Sequence, residues 1–352
     1  MILPSTYTGA ILCLVLSMLC FGSWANLQKR SGKWRYELFY WDFSIGIALA
    51  ATLAAFTLGS LNSGQLTFSD NLLITSYHRI SYALEAGFVV GLANLFMVGA
   101  LSVAPMAVVF PVAMGVGLAV ETAWLVFSPQ GSVLLLMGGA VLVLASIVVS
   151  AFTYGLYSQD QRTQQKALMP DPRAVAAATA KLPKPAQGVA LSVISGIALG
   201  MVPTLTDMAR TGEDGLAAYT AGLLVAIAIL VSTLIYSPFF ITFSVHGAPV
   251  QFRSYFKGGK AMHLNGLLAG VLWSVGLIAA FASGGYSATI QAGPVATRGF
   301  AEGAAVVATL WGLLRWREFQ GGSLKVRILL TTMLMLWIVG AGMVTMAPSL
   351  SK

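Results

Sequence analysis

Charge is scarce in this chain. It has 12 acidic and 20 basic residues among 352, 9% charged in all, where soluble domains carry about 25%. There is not enough polar surface here to cover two or three water-soluble domains, which leaves one helical bundle in lipid. Cysteine is almost missing. Cys13 and Cys20 stand alone, seven apart in one apolar run, so no disulfide framework forms and no metal spacing is met. The three histidines, His78, His246 and His263, fall near the ends of apolar runs in no ligand spacing and read as surface or capping residues. No Ser-His-Asp elbow, HExxH helix or dinucleotide-binding glycine fingerprint occurs, so the chain does not read as an enzyme and no cofactor is expected. The formal charge of +8 is spread between apolar runs rather than gathered into a face for nucleic acid.

Apolar residues make up 57% of the chain. A span needs roughly 20 of them to cross about 30 Å of hydrocarbon. Ten segments qualify: 6–26, 40–59, 83–101, 105–127, 132–154, 188–208, 216–238, 263–283, 291–314 and 326–347. Pro238 to Val245 either lengthens the seventh or lies in the interface. The first run has no Lys or Arg before Tyr7 and an apolar core too long for a signal peptide, so it reads as a span.

Orientation follows from the basic residues. Lys29, Arg30, Lys33 and Arg35 follow span one, and Arg162, Lys166, Arg173, Lys181 and Lys184 follow span five. Arg253, Lys257 and Lys260 follow span seven, and Arg315, Arg317, Lys325 and Arg327 join spans nine and ten. The opposite side holds only Arg79, Arg210 and Lys352. Positive residues stay inside, so both termini face out of the cell's inner (plasma) membrane. Trp34, Tyr36, Tyr40 and Trp41 beside the first basic loop form an interfacial aromatic belt.

The hydrophilic stretch Tyr157 to Gln187 divides the chain into a first half, 1–156, a cytoplasmic central loop, 157–187, and a second half, 188–352, with five spans in each half. Five is odd, so homologous halves insert opposite ways up and form an inverted repeat. Span three reads Gly87-Phe-Val-Val-Gly91-Leu-Ala-Asn94 and span eight Gly266-Leu-Leu-Ala-Gly270-Val-Leu-Trp273, and each precedes a helix opening with Pro-Val-Ala, at Pro111 and Pro294. Glycines four apart also let helices pack closely in lipid.

Those stretches, with Leu310-Trp311-Gly312, Glu318-Phe319, Gly91-Leu-Ala-Asn94-Leu and Cys20-Phe-Gly-Ser-Trp24, resemble the ureide permease family. They are also similar to the glucose and rhamnose porters of the same drug/metabolite transporter superfamily. The resemblance implies ten helices in two inverted halves and transport of allantoin, uracil or sugars, often driven by protons. Plant ureide permeases carry a phosphate-loop-like motif in the central loop; Tyr157 to Gln187 has none.

An ionisable group at mid-membrane costs at least about 2.5–3.5 kcal/mol, so each one needs a reason. Glu121 lies inside span four, and Arg298 and Glu302 lie one turn apart on span nine, able to pair. At about 1.5 Å per residue, Glu302 falls near the midplane, with Arg298 and Glu121 in the outer half. Two carboxylates against one guanidinium leave a carboxylate to bind a proton, making Glu121 or Glu302 a proton carrier; the alternative is a static pair with Glu121 reaching water. Asn94 and Trp273 are the neutral midplane partners. Asn94 reads as interhelical glue or as a ligand, and Trp273 as a core residue or a stacking platform. Asp207, Asp42 and Glu85 read as solvated span ends. Pro111 and Pro294 either free backbone carbonyls for a solute or kink helix starts.

The function expected is a secondary active transporter: proton-coupled uptake of a small polar neutral solute, a ureide, nucleobase or sugar, by alternating access. The alternative is an exporter of amphipathic metabolites or drugs, with an intramembrane enzyme or a channel behind both. The partners are a small-molecule solute, protons and the lipid bilayer, with no nucleic acid. A lone cysteine made as Ser158→Cys, with Cys13 and Cys20 replaced, labels with an impermeant maleimide only after the membrane is opened. Labelling from outside intact cells would reverse the orientation.

Overall fold

The computed structural model describes residues 1–32, 34–61, 66–127, 132–168, 185–242, 249–284 and 293–347. The described residues are almost wholly helical, with no strand among them. In lipid this is the physical expectation, since a helix satisfies its own backbone groups. Helix α1 spans Tyr7–Ser23 and starts where the Thr6 hydroxyl accepts from the Gly9 amide at 3.1 Å. It leads into a short α2, Ala25–Arg30. Then come α3, Tyr36–Phe56, and α4, Phe68–Ile74, a short helix opened by a Thr67–Asp70 capping box. The first half continues with α5, Tyr77–Val103, α6, Met106–Phe127, and α7, Val133–Leu168.

The second half has α8, Pro185–Arg210, and α9, Ala218–Thr242. A 3-10 turn, Phe252–Lys257, precedes α10, Lys260–Ser283. Helix α11, Gly293–Leu310, runs into a π turn, Trp311–Arg315, and α12, Leu324–Met346, ends the bundle.

Among the described residues nine helices are long and apolar enough to cross a membrane, and they match nine of the ten expected spans. The expected ninth span, 291–314, corresponds to α11 and its π turn. This helix has 18 residues and carries both Arg298 and Glu302, which keeps it outside the nine. Helices α3 and α5 start earlier than the apolar runs, at Tyr36 and Tyr77.

The central loop is shorter than expected. Helix α7 has 36 residues, roughly 54 Å at 1.5 Å per residue, so it outruns about 30 Å of hydrocarbon and takes up the start of the loop through Leu168. Pro185 to Gln187 already belong to α8, and 169–184 lie outside the described residues. The prolines do not break helices. Helix α6 runs through Pro111, and Pro294 sits in the first turn of α11, where no intrahelical donor is lost. Of the stretch from Pro238 to Val245, α9 covers the part through Thr242 and the rest is outside the described residues.

On α7, Leu134, Met137, Val141, Leu144 and Val148 recur at helical spacing and are exposed, a stripe fit for lipid. The inner faces pack through small residues. A Cβ on Gly46 of α3 would run into the Leu267 carbonyl of α10, and one on Gly270 into the Phe43 carbonyl. Helices α5 and α9 repeat the pattern, Gly87 lying against Val225 and Ala228 and Gly91 against Ser232. Gly266 also lies against Asp42, and Gly270 against Gly46 and Ile47, so in both pairs the numbering rises together and the partners run parallel. Tyr40 of α3 lies beside Thr233 and Gly59 beside Tyr219, so α3 is antiparallel to α9 and the two pairs are oppositely directed.

Helix α8 packs against α5 and α6, α1 against α10 and α11, and α7 against α12. Gly270→Val therefore destabilises the detergent-solubilised protein by at least about 1–3 kcal/mol. Gly342→Ala, whose Cβ meets nothing within 4 Å, stays within about 0.5 kcal/mol. Equal thermal midpoints for the two variants would contradict the close crossing.

Candidate functional site

Trp273 of α10 is 6% exposed, so it faces the bundle rather than lipid. Its ring stands edge-on to Phe21 of α1, with centroids 5.4 Å apart, and to Phe43 of α3 at 6.4 Å. Phe43 continues to Trp24 at 5.0 Å, and Trp24 to Phe110 of α6 at 6.1 Å. Four helices thus contribute one aromatic cluster, which buries much apolar surface and offers flat faces. The hydroxyl of Ser274, the next residue, is buried with no hydrogen-bond partner among the described residues.

Asn94 of α5 is 2% exposed, and its Nδ2 likewise has no partner among the described residues. The carbonyls beside it are taken. Tyr40 Oη donates to the Gly91 oxygen at 2.6 Å, and Ser195 Oγ donates to the Ala93 oxygen at 2.8 Å. A buried donor without an acceptor costs about 1–3 kcal/mol, and such exceptions call for a ligand, a water or a function. Asn94 and Trp273 lie on different helices: α5 packs chiefly on α8 and α9 and α10 chiefly on α3 and α1, while α3 and α9 each touch both.

Glu121 and Glu302 are half-buried on α6 and α11, two helices in contact, and neither stands without a partner. Arg298 lies one turn before Glu302 on α11; its side chain is outside the described residues. Gly299 faces Thr345 of α12 and Gly303 faces Met18 of α1, so α11 is wedged between these helices and α6. Beside Glu121, Thr122 is buried with its hydroxyl unpartnered among the described residues.

Two charged clusters were not legible as such. Asp42, expected to be a solvated span end, is 2% exposed. Tyr255 Oη donates to its Oδ1 at 2.5 Å, and His263 Nδ1 lies 2.9 Å from Oδ2 and 3.0 Å from Oδ1. Burial, and then Asp42 itself, push the Tyr255 phenol well above its ordinary range. His263 is thus no free surface group. His78 is exposed, as expected, and His246 lies outside the described residues.

Glu318 is the second case. It pairs with Lys29 and accepts from the Met106 and Ala107 amides at 2.8 and 3.0 Å, so a carboxylate from the α11–α12 connection caps the N-terminus of α6. Trp316 Nε1 donates to Asn26 Oδ1 at 2.6 Å and Trp311 Nε1 to Ser23 Oγ at 2.9 Å, which ties that connection to the end of α1. At the other end of the bundle Arg79 pairs with Asp214, and Arg210 donates to the Phe281 carbonyl at 2.6 Å. Sequence spacing carries no sign of these partners, because each pair joins distant parts of the chain.

No family model matches the chain. Ureide permease 1 of Arabidopsis thaliana is 24% identical over 387 residues, covering 97% of each chain. Ureide permease 2 of the same plant is 22% identical over 397 residues, covering 96% of each. Ureide permease 5 is 35% identical over 97 residues, 25% of this chain. With its membrane-competent helices, the chain is a ureide permease-like, multi-pass membrane transporter and not an enzyme.

Replacing this amide, whose Nδ2 has no partner among the described residues, with an apolar side chain of similar volume removes its desolvation cost. Asn94→Leu is expected to unfold at a higher temperature than the parent, with a gain of about 1–3 kcal/mol, while solute uptake falls to background. An unfolding temperature at or below the parent's would mean that the amide has a partner inside the fold.

Proposed function

We propose that the chain is a proton-coupled secondary carrier that takes up a small polar neutral solute by alternating access. It lies in the plasma membrane with both termini outside. The observation that carries this reading is the buried Asn94 amide, whose Nδ2 has no partner among the described residues, inside a chain whose near-full-length relatives are ureide permeases. Ureides and nucleobases are flat and rich in carbonyl acceptors. Asn94 Nδ2 donates to such a carbonyl, and Trp273, held edge-on by Phe21 and Phe43, offers a face for stacking. Arg298 and Glu302 bind the solute's other polar edge.

The reading includes ten spans, α11 being the ninth, in two inverted five-helix halves, 1–156 and 188–352, joined by 157–187. The packing supports it. If each helix is exchanged for its counterpart five spans away, α5 on α9 becomes α10 on α3, and α5 on α8 becomes α10 on α1. In the same way α6 on α8 becomes α11 on α1, and α6 on α7 becomes α11 on α12. The glycine contacts follow the same exchange, Gly87 and Gly91 against Ala228 and Ser232 answering to Gly266 and Gly270 against Asp42 and Gly46. Such halves alternate access by rocking about a site between them.

Glu121 or Glu302 carries the coupling proton. In proteoliposomes under an imposed pH gradient, the carrier accumulates one of allantoin, uracil or a monosaccharide saturably and shows counterflow of the same solute. Asn94→Ala raises its KM about tenfold, the worth of one lost hydrogen bond. Glu121→Gln or Glu302→Gln lowers gradient-driven accumulation relative to counterflow at least about tenfold, since exchange needs no net proton movement. If both variants keep full accumulation with an unchanged pH dependence, these carboxylates are structural.

A further inference from the structure

The bundle buries a second ionisable site, one that the reading above does not use. We propose that Asp42 and His263, closed over by Tyr255, form a proton-binding site at the end of the bundle that carries the basic loops. It is built from an acid of the first half and an imidazole of the second. The proposal extends the proton-coupled reading and rests on it only for the site's use in transport.

The geometry is that of a dry acid behind a wet base. Asp42 is 2% exposed and receives the Tyr255 hydroxyl and the His263 Nδ1, whereas the His263 side chain keeps 25% of its surface open. Helix α10 approaches Asp42 closely because Gly266 lies against its Cβ. Trp34 stands edge-on to the imidazole at 5.2 Å and Tyr255 at 4.7 Å, so aromatic rings wall the site on two sides. A proton from water adds to the free ring nitrogen, and the resulting imidazolium holds its Nδ1–H against the Asp42 carboxylate. Release reverses the same N–H bond, and nothing else is made or broken. Histidine is the side chain suited to do this between about pH 5 and 8.

Among the described residues, the surrounding charges leave the pair to itself. The 3-10 turn brings Arg253 and Lys257, and the first turn of α10 brings Lys260, all exposed. On α2, Lys29 is held by Glu318 and Arg30 is exposed. On α3, Arg35 and Glu37 pair with each other at 2.7 Å. Helices α1 and α9, packed against α10 and α3, carry no charged residue, and the charges of α5 nearest to them, Arg79 and Glu85, lie toward the opposite end.

Trp34 provides a reporter independent of transport, because an imidazolium quenches a neighbouring indole more than an imidazole does. The difference in tryptophan fluorescence between the reconstituted protein and its Trp34→Phe variant is expected to fall as pH is lowered between about 8 and 5. The fall disappears in His263→Gln. A Trp34 signal that ignores pH, or a titration that survives His263→Gln, overturns the site. Tyr255→Phe keeps the ring and removes only the hydroxyl, so it serves where His263→Gln fails to fold; an unmoved titration there counts against the closure.

In proteoliposomes, His263→Gln and Tyr255→Phe lower the ratio of gradient-driven uptake to counterflow at least about tenfold. An unchanged ratio overturns the site's part in coupling. If the parent protein itself ignores the pH gradient, the coupling reading fails, and the Trp34 titration alone decides whether the site binds a proton.

Discussion

Where α3 crosses α10 the two backbones touch, Gly46 on the Leu267 carbonyl and Gly270 on the Phe43 carbonyl. Lipid tails are as apolar as leucine, so no hydrophobic force draws these helices together. Close packing must do it, and only glycine allows such an approach. Much of the site depends on this crossing. One turn beyond Gly270, Trp273 is brought to Phe43 and Phe21, and one turn before it, Gly266 is set against Asp42. A single backbone contact thus positions an aromatic face on one side and a buried acid on the other.

The polar groups obey a second constraint, that a charge taken out of water must meet a partner. Glu318 meets Lys29 and two backbone amides at the start of α6, and Asp42 meets Tyr255 and His263. Arg210 spends its guanidinium on the Phe281 carbonyl and lies over the Phe281 ring at 4.6 Å. Asn94 stands out in a different way: its Nδ2 is a buried donor with no partner among the described residues. Partnerless donors in an otherwise closed core are where a carrier has most to gain from a solute that brings its own carbonyl.

Both ends of the bundle are held by contacts between distant segments. The α11–α12 connection is fastened to α1 and α6 by Trp311, Trp316 and Glu318 at one end, and α5 is fastened to the α8–α9 connection by Arg79 and Asp214 at the other. These are few, polar and partly open to water, unlike the glycine crossings between them.

The sequence by itself pointed to the membrane class and to ten apolar segments, nine of which are membrane-competent helices among the described residues, and it placed Asn94, Trp273, Glu121, Arg298 and Glu302 in those ten segments. These are local properties, set by the length and polarity of one segment at a time. It also pointed to the pairs Gly87/Gly91 and Gly266/Gly270, since small residues four apart share a helix face. Only the tertiary structure decided what each group meets. Asp42 read as a solvated end because its helix starts beside a basic loop; its partners, Tyr255 and His263, lie more than 200 residues away. Glu318 read as part of a family motif, and its cap on α6 also lies some 200 residues off. The start of the central loop became helix because α7 keeps helical spacing past the hydrocarbon boundary, where polarity alone had ended the span. A sequence shows the cost of burying a charge, but the partner that offsets it comes from the way the helices pack.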